Sequence, residues 1–170
     1  MNQIDTLHIS AIEPNEEEAV SNLIKSAMSD FDQSTELVSA IMRRVEHLKT
    51  AYSMPGSTYF VARDKMNGNI PVAGAGIGSF HGLPLTEGMG EVRDLVVNPD
   101  YRGKSLGTKL IYTCIEQAKE FGYKKLYLET TPQMKPAQKL FMRVGFRGIR
   151  DTGKTADTES LPSYFIMEDL

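Results

Sequence analysis

The run from Asp94 to Phe121 constrains the fold more than any other part of the chain. Asp94-Leu95-Val96-Val97 reads as a strand, Asn98 to Ser105 as a short loop holding Pro99 and Gly103, and Leu106 to Phe121 as an amphipathic helix. A strand that feeds straight into a helix needs a crossover, so the next strand is expected to pair parallel to the first. The junction is itself informative. The first amides of a helix have no carbonyl partner, and the summed peptide dipoles leave that end partly positive. Gly103 and Gly107 let backbone approach a ligand, while Arg102 and Lys104 add charge, Arg102 in a form suited to two-pronged phosphate contact. The stretch Arg102-Gly103-Lys104-Ser105-Leu106-Gly107-Thr108 therefore reads as a diphosphate cradle, with a plain strand-to-helix turn as its alternative. It is not a Walker loop, because Asn98 stands where the first glycine belongs, and Gly103-x-x-x-Gly107 is not the three-glycine dinucleotide spacing.

The other elements follow from periodicity and punctuation. Leu7 to Ile12 alternates weakly and is expected as an edge strand. Pro14 to Glu18 starts a helix that Asn15 can cap, with Val20, Leu23, Ile24, Ala27 and Met28 as its apolar stripe. A second helix is expected over Thr35 to Tyr52. Thr58 to Arg63 and Ile70 to Phe80 form a strand pair across Asn67-Gly68, and Glu91 to Val97 is the next strand. Lys125 to Glu129 is a strand, Lys135 to Val144 a helix stopped by Gly145, and Phe146 to Arg150 and Ser163 to Asp169 two closing strands. The resulting order, β-α-α-β-β-β-α-β-α-β-β, gives an α/β (α+β) fold: a mixed, mostly antiparallel sheet of about seven strands with about four helices on both faces.

At 170 residues the chain is the length of one domain, expected over 1–170. A net charge of −3 argues against a nucleic-acid partner, yet six of the 19 Lys and Arg residues fall between Arg102 and Lys125, around the cradle. The single cysteine, Cys114, excludes an internal disulfide and falls on the apolar face of its helix, the place of a buried structural thiol. No apolar run approaches a membrane span, and the acidic N-terminal region resembles no signal peptide, so the expected location is cytoplasmic. His8, His47 and His81 lack metal-ligand spacing and no metal is expected.

Four segments together resemble the GNAT superfamily of acyl-CoA-dependent N-acetyltransferases, and in particular its small bacterial members. Arg102-x-x-Ser105-x-Gly107 is similar to the family's acyl-CoA motif, with Ser105 in place of the commoner Gly. Gly90 to Val97 resembles its fourth strand, Tyr127-Leu128-Glu129-Thr130 its fifth, and Ala137-Gln138-Lys139-Leu140-Phe141-Met142-Arg143-Val144-Gly145-Phe146 its closing helix signature. The resemblance implies an enzyme that moves an acetyl group from acetyl-CoA to a primary amine, on a small molecule or a peptide, by direct transfer. A homodimer is among the assemblies it implies. It further implies that backbone at Leu95, Val96 and Val97 pairs with the pantetheine arm and that Arg102 to Thr108 hold the diphosphate.

Amine chemistry says what such an enzyme needs. An alkyl ammonium of pKa about 10.4 is protonated at pH 7, and removing its proton costs about 4–5 kcal/mol. A positioned carboxylate recovers part of this as a general base. Glu91, six residues before Val97, is the candidate the resemblance places there, with a solvated strand-end acid as the alternative reading. On a regular strand Glu91 shares a face with Arg93, Leu95 and Val97 while Asp94, the reserve base, faces away. Arg93 and Asp94 also read as an ion pair. The family's tyrosine acid is replaced by Phe141, which can still pack on the pantetheine arm, and its Asn by Met134; Tyr127 and Tyr164 are the substitute acids, otherwise sheet residues. His81 and the polar loop Asp151 to Ser160 are candidate acceptor walls. These departures motivate an alternative function, a non-catalytic acyl-CoA-binding sensor or interaction module.

Overall fold

A computed structural model describes residues 6–31, 33–130, 135–149 and 164–170. Seven strands form one sheet: β1 (Leu7–Ala11), β2 (Thr58–Asp64), β3 (Ile70–Ser79), β4 (Met89–Val97), β5 (Lys125–Glu129), β6 (Arg147–Ile149) and β7 (Tyr164–Glu168), in the order β1-β2-β3-β4-β5-β7-β6. All neighbours are antiparallel except β4 and β5, which α4 (Leu106–Glu120) joins as the expected crossover. The sheet is therefore mixed and mostly antiparallel, as the sequence implies. Among the described residues the other helices are α1 (Glu17–Met28), α2 (Glu36–Glu46), the single turn α3 (Leu48–Ala51) and α5 (Lys135–Val144). The helix expected over Thr35 to Tyr52 is interrupted at His47, whose φ of −138° and ψ of 54° leave the helical region.

Helices cover both faces of the sheet. Under α4 and α5 lies one core, built on Leu106, Leu110, Ile111, Cys114 and Ala118 against Ala75, Ile77, Val92 and Leu126. Under α1 to α3 lies the second, with Val20, Ile24, Val38, Val45 and Leu48 against Tyr52, Tyr59, Val61 and Val96. Strand β3 serves both faces by alternation: Ala73, Ala75 and Ile77 point to α4, and Gly74, Gly76 and Gly78 to the other side. All three of these glycines are required by close approach, and a Cβ on Gly74 would collide with the Tyr59 ring. A Cβ on Gly76 would collide with the Tyr52 ring, and one on Gly78 with the Arg93 guanidinium.

The start of α1 differs from the sequence reading. The cap is Glu13 rather than Asn15, with a single 3-10 turn over Pro14–Glu16 before the helix. Glu16 closes this box by accepting from the Glu13 amide at 2.8 Å. Its carboxylate also takes two donors from the buried Arg63 of β2, Nη2 to Oε2 at 2.6 Å and Nε to Oε1. Arg63 further donates to Ser10 Oγ at 2.7 Å and the Ala11 carbonyl at 3.0 Å. One ion pair thus ties β1, β2 and the entry to α1.

Strand β4 carries the irregularity that shapes the site. Arg93 pairs with Gly76 and Val96 with Gly74, so Asp94 and Leu95 together oppose Ala75. Asp94 has φ +55°, the left-handed region that a non-glycine enters only at a cost. This bulge reverses the alternation: Val92 belongs to the α4 core, Val96 to the opposite one, and Leu95 and Val97 pack on the α4 side. The expected arrangement of faces is therefore corrected. Glu91 shares its face with Arg93 and Asp94, not with Leu95 and Val97.

Candidate active site

After Glu91 the two parallel strands part. Strand β4 pairs with β5 only from Met89 to Glu91, opposite Lys125 to Tyr127, although β4 runs on to Val97. Among the described residues its β5-side backbone from Val92 onward is without a strand partner, and a gap opens between the strands.

The loop after β4 is built to present amides. Asn98 accepts from the Asp100 amide at 3.0 Å and caps a 3-10 turn over Pro99–Tyr101. Gly103 follows at φ +77° and Ser105 at φ +60°. Ser105 is the N-cap of α4, yet its hydroxyl makes no capping hydrogen bond. The first helical bond runs from the Lys109 amide to the Ser105 carbonyl at 3.1 Å, so the amides of Leu106, Gly107 and Thr108 precede the ladder.

These amides border an open groove of about 780 Å³. Of the sequence candidates, Leu95, Val96, Val97, Arg102, Gly103, Ser105, Leu106, Gly107 and Thr108 all line it. Lys104 does not: its ammonium lies 4.9 Å from the centre of the Tyr101 ring. Phe141 does not either. It is 4% exposed, packs edge-on with Phe146 and Phe165, and borders a smaller cavity of about 80 Å³ beside the groove. The two spaces share Met28, Leu95 and Ala137. Arg143, which the sequence reading passed over, lines the groove from α5 together with Leu140 one turn earlier. Their i, i+3 spacing beside the closing signature was the available signal.

Glu91 lines the smaller cavity and is 7% exposed, so it is no solvated strand-end acid. Among the described residues it takes no hydrogen bond and forms no ion pair. Burial raises its carboxyl above the ordinary glutamate range, partly offset by the charges of Arg93, Arg44 and His81 and reinforced by Glu129. A buried carboxylate with a raised pKa and free lone pairs is equipped to receive a proton.

Asp94 is not equipped to do so, which corrects its reading as a reserve base. Arg44 of α2 forks onto it, Nε to Oδ2 and Nη2 to Oδ1, both at 2.9 Å, and the Tyr52 hydroxyl donates to Oδ2 at 2.5 Å. Its backbone carbonyl accepts from the Tyr59 hydroxyl at 2.8 Å. Asp94 therefore pins the bulge to α2 and β2. Nor does it pair with Arg93, whose guanidinium carbon lies 5.2 Å from the centre of the Tyr52 ring and whose buried Nε has no partner among the described residues.

Glu129, at the end of β5, borders the same cavity as Glu91. Burial raises its carboxyl too, and Tyr164 of β7 stands directly opposite it in register. The other substitute acid, Tyr127, is stacked on Phe80 with ring centres 4.2 Å apart. His81, at φ +50°, is exposed beside Phe80. Cys114 is buried and its thiol is pushed up to about 12, which suits the structural role expected of it. Met134 and the loop Asp151 to Ser160 lie outside the described residues. No described helix is long and apolar enough to cross a membrane.

Comparison with known proteins agrees with this architecture. Residues 21–146 match the Acetyltransferase (GNAT) family. An uncharacterized N-acetyltransferase of Escherichia coli, YjgM, is 36% identical over 105 residues, which are 62% of this chain and 60% of that protein. The chain thus spans about three-fifths of the length of this relative. A GNAT-family acetyltransferase from Staphylococcus aureus superposes with a TM-score of 0.74 at 19% identity, covering 95% of this chain and 98% of that one. A Salmonella typhimurium protein solved with its cofactor acetyl-CoA superposes with a TM-score of 0.70 at 15% identity, covering 96% and 94%. At these identities the two structures establish a shared fold. With the family match extending over well more than half of its 170 residues, the chain belongs to the GNAT acetyltransferase family.

Proposed function

We propose that the whole chain is one N-acetyltransferase domain that moves an acetyl group from acetyl-CoA to a primary amine by direct transfer, with Glu91 as general base. The observation that carries the reading is the position of Glu91: buried, unpartnered, and lining a cavity that abuts the groove at the parting of β4 and β5. The groove volume of about 780 Å³ lies within the roughly 300–1,000 Å³ usual for sites that bury a small molecule. Its polar groups suit a long anionic thioester: unladdered amides at Leu106, Gly107 and Thr108, with Arg102 and Arg143 as cations. The unpaired edge of β4 at Leu95 to Val97 suits an amide-bearing arm that pairs as an added strand.

Acetyl-CoA supplies a reactive acyl carbon and a thiolate leaving group; the chain supplies placement and proton transfer. Glu91 takes one proton from the ammonium, and the freed nitrogen attacks the carbonyl carbon. As the C–S bond breaks, the electron pair leaves on sulfur, and the nitrogen's second proton reaches that sulfur through water. Phe141 has no proton to give, and burial together with the charges of Glu129 and Glu91 raises the Tyr164 hydroxyl above the ordinary tyrosine range.

Glu91→Gln is expected to lower turnover by roughly 10²–10⁴-fold, the usual worth of a general base, with acetyl-CoA affinity unchanged. The base must be ionised, so wild-type kcat/KM for the amine should rise with pH through a pKa above that of an ordinary glutamate. The variant should lack that limb. Equal turnover of the two proteins across pH removes Glu91 from the mechanism, and binding without thiol release across a broad amine panel favours the sensor instead.

A further inference from the structure

The cavity beside the groove is larger than an acetyl group requires. Its volume is about 80 Å³, several times the roughly 10–15 Å³ that holds one water, and a methyl group is close to water in size. Its walls are chemically divided. The strand side carries Glu91 of β4 and Glu129 of β5. The helix side is apolar: Ile24 and Met28 of α1, Leu37 and Ile41 of α2, and Ala137 and Phe141 of α5. Ile24, Met28, Ile41 and Phe141 are buried, and Leu37 is half-buried at the edge of the α1–α2 core. The Phe141 ring has no hydroxyl, so it adds nothing polar to that side. Arg44 and Asp94 also border the cavity, but their polar atoms are bonded to each other.

The shape of a thioester decides what reaches the apolar side. Groove and cavity meet at Met28, Leu95 and Ala137. A pantetheine arm laid along β4 brings its sulfur to that junction, and the carbonyl carbon then lies within reach of the nitrogen that Glu91 deprotonates. That carbon is trigonal, so the acyl chain leaves it on the side away from sulfur, into the cavity. The amine attacks from above or below the carbonyl plane and is drawn to the acids, because an ammonium against apolar wall is not compensated. The helix side is left to the acyl chain. An acetyl methyl leaves most of that space unfilled, and atoms that line a void lose their dispersion partners. A longer chain restores those contacts.

Resting on the proposed transferase reading, we infer that the donor site takes acyl chains longer than acetyl, namely the propionyl and butyryl thioesters of CoA, with Leu37 and Ile41 of α2 among the residues that set chain length. The chemistry is the same for each donor: the C–N bond forms, the C–S bond breaks, Glu91 takes one proton and sulfur receives the other. Leu37 and Ile41 are then specificity-determining residues with no part in proton transfer.

Calorimetric titration of the folded protein with acetyl-, propionyl- and butyryl-CoA tests this. Each added methylene should tighten binding about fourfold, the worth of one buried CH₂ group. Leu37→Trp, which fills the cavity from α2, should flatten the series and leave acetyl-CoA binding near wild type, which also shows that the variant is folded. Leu37→Phe, the smaller filler, should reduce the gain, and it decides the matter if the tryptophan variant does not fold. Equal or weaker binding of the longer donors to the wild type, or a gain that survives unchanged in a filled variant that binds acetyl-CoA, overturns the inference alone. So does a cavity occupied by the acceptor, seen as binding to the protein–CoA complex that tightens from propylamine to hexylamine while the three donors bind alike. Failure of acetyl-CoA itself to bind removes the transferase reading as well.

Discussion

Asp94 and Ser105 both hold positive φ with side chains that ordinarily avoid it, Asp94 beside the smaller cavity and Ser105 on the groove. Asp94 is compensated by its contacts with Arg44, Tyr52 and Tyr59. Ser105 is not: it adopts φ +60° at the head of α4 with no side-chain capping bond. The departure from the family's glycine is thus a residue kept in a glycine conformation. Left-handed backbone costs an ordinary residue roughly 1–2 kcal/mol, so Ser105→Gly is expected to stabilise the protein by about 1 kcal/mol, read as a raised Tm. Acetyl-CoA affinity should stay near wild type, because the amides point as before. A lowered Tm would mean that the hydroxyl has a partner in solution. At this scale the sequence revealed residue types but not partners. Arg44 and Asp94 are 50 positions apart, and Glu129 meets Tyr164 only because β5 and β7 are neighbours. Neither pairing leaves a local spacing to detect.

Elements were the most legible level, and the exceptions have physical causes. The strand-loop-helix from β4 to α4 and the parallel pairing it demands follow directly from where the apolar run ends and the glycines fall. The bulge in β4 was hidden because alternation assumes a regular strand, and Asp94 carries no glycine to warn of a left-handed residue. The cap of α1 was misplaced by two residues: Glu13 and Glu16 form the box, and Glu16 is also held by Arg63, a partner 47 positions away. That ion pair gives a prediction for the N-terminal elements. The Arg63 hydrogen bonds lower the Glu16 carboxyl, against the opposing effect of burial, so it titrates below its unfolded value. Its contribution is therefore fully present above the unfolded glutamate pKa of about 4.3 and is lost as pH falls through the lower folded value. Glu16→Gln should cost about 3–5 kcal/mol at neutral pH by leaving a buried guanidinium uncompensated. The gap between variant and wild type in urea denaturation should narrow below pH 4. A gap that is constant with pH would show that the stabilisation is not ionic.

For the molecule as a whole, the bulge connects stability to chemistry. It turns Glu91, Arg93 and Asp94 to the face of α1 and α2 and sets Leu95 and Val97 toward α4 and α5. The gap between β4 and β5 lies where the two cores meet, with the amides at the head of α4 along one side of the groove. The parting of the strands was invisible in the sequence, since nothing in Val92 to Val97 says where pairing with β5 stops. The amide-rich loop was visible, because glycine, arginine and the helix start fall together there. The proposed transfer requires that loop and groove to take up the diphosphate and arm of an acyl-CoA. Calorimetric titration of the folded protein with acetyl-CoA and with CoA is the most direct test. One site per chain is predicted, with affinity that weakens as salt is added because the contact is with phosphate. No heat from either ligand would contradict the account.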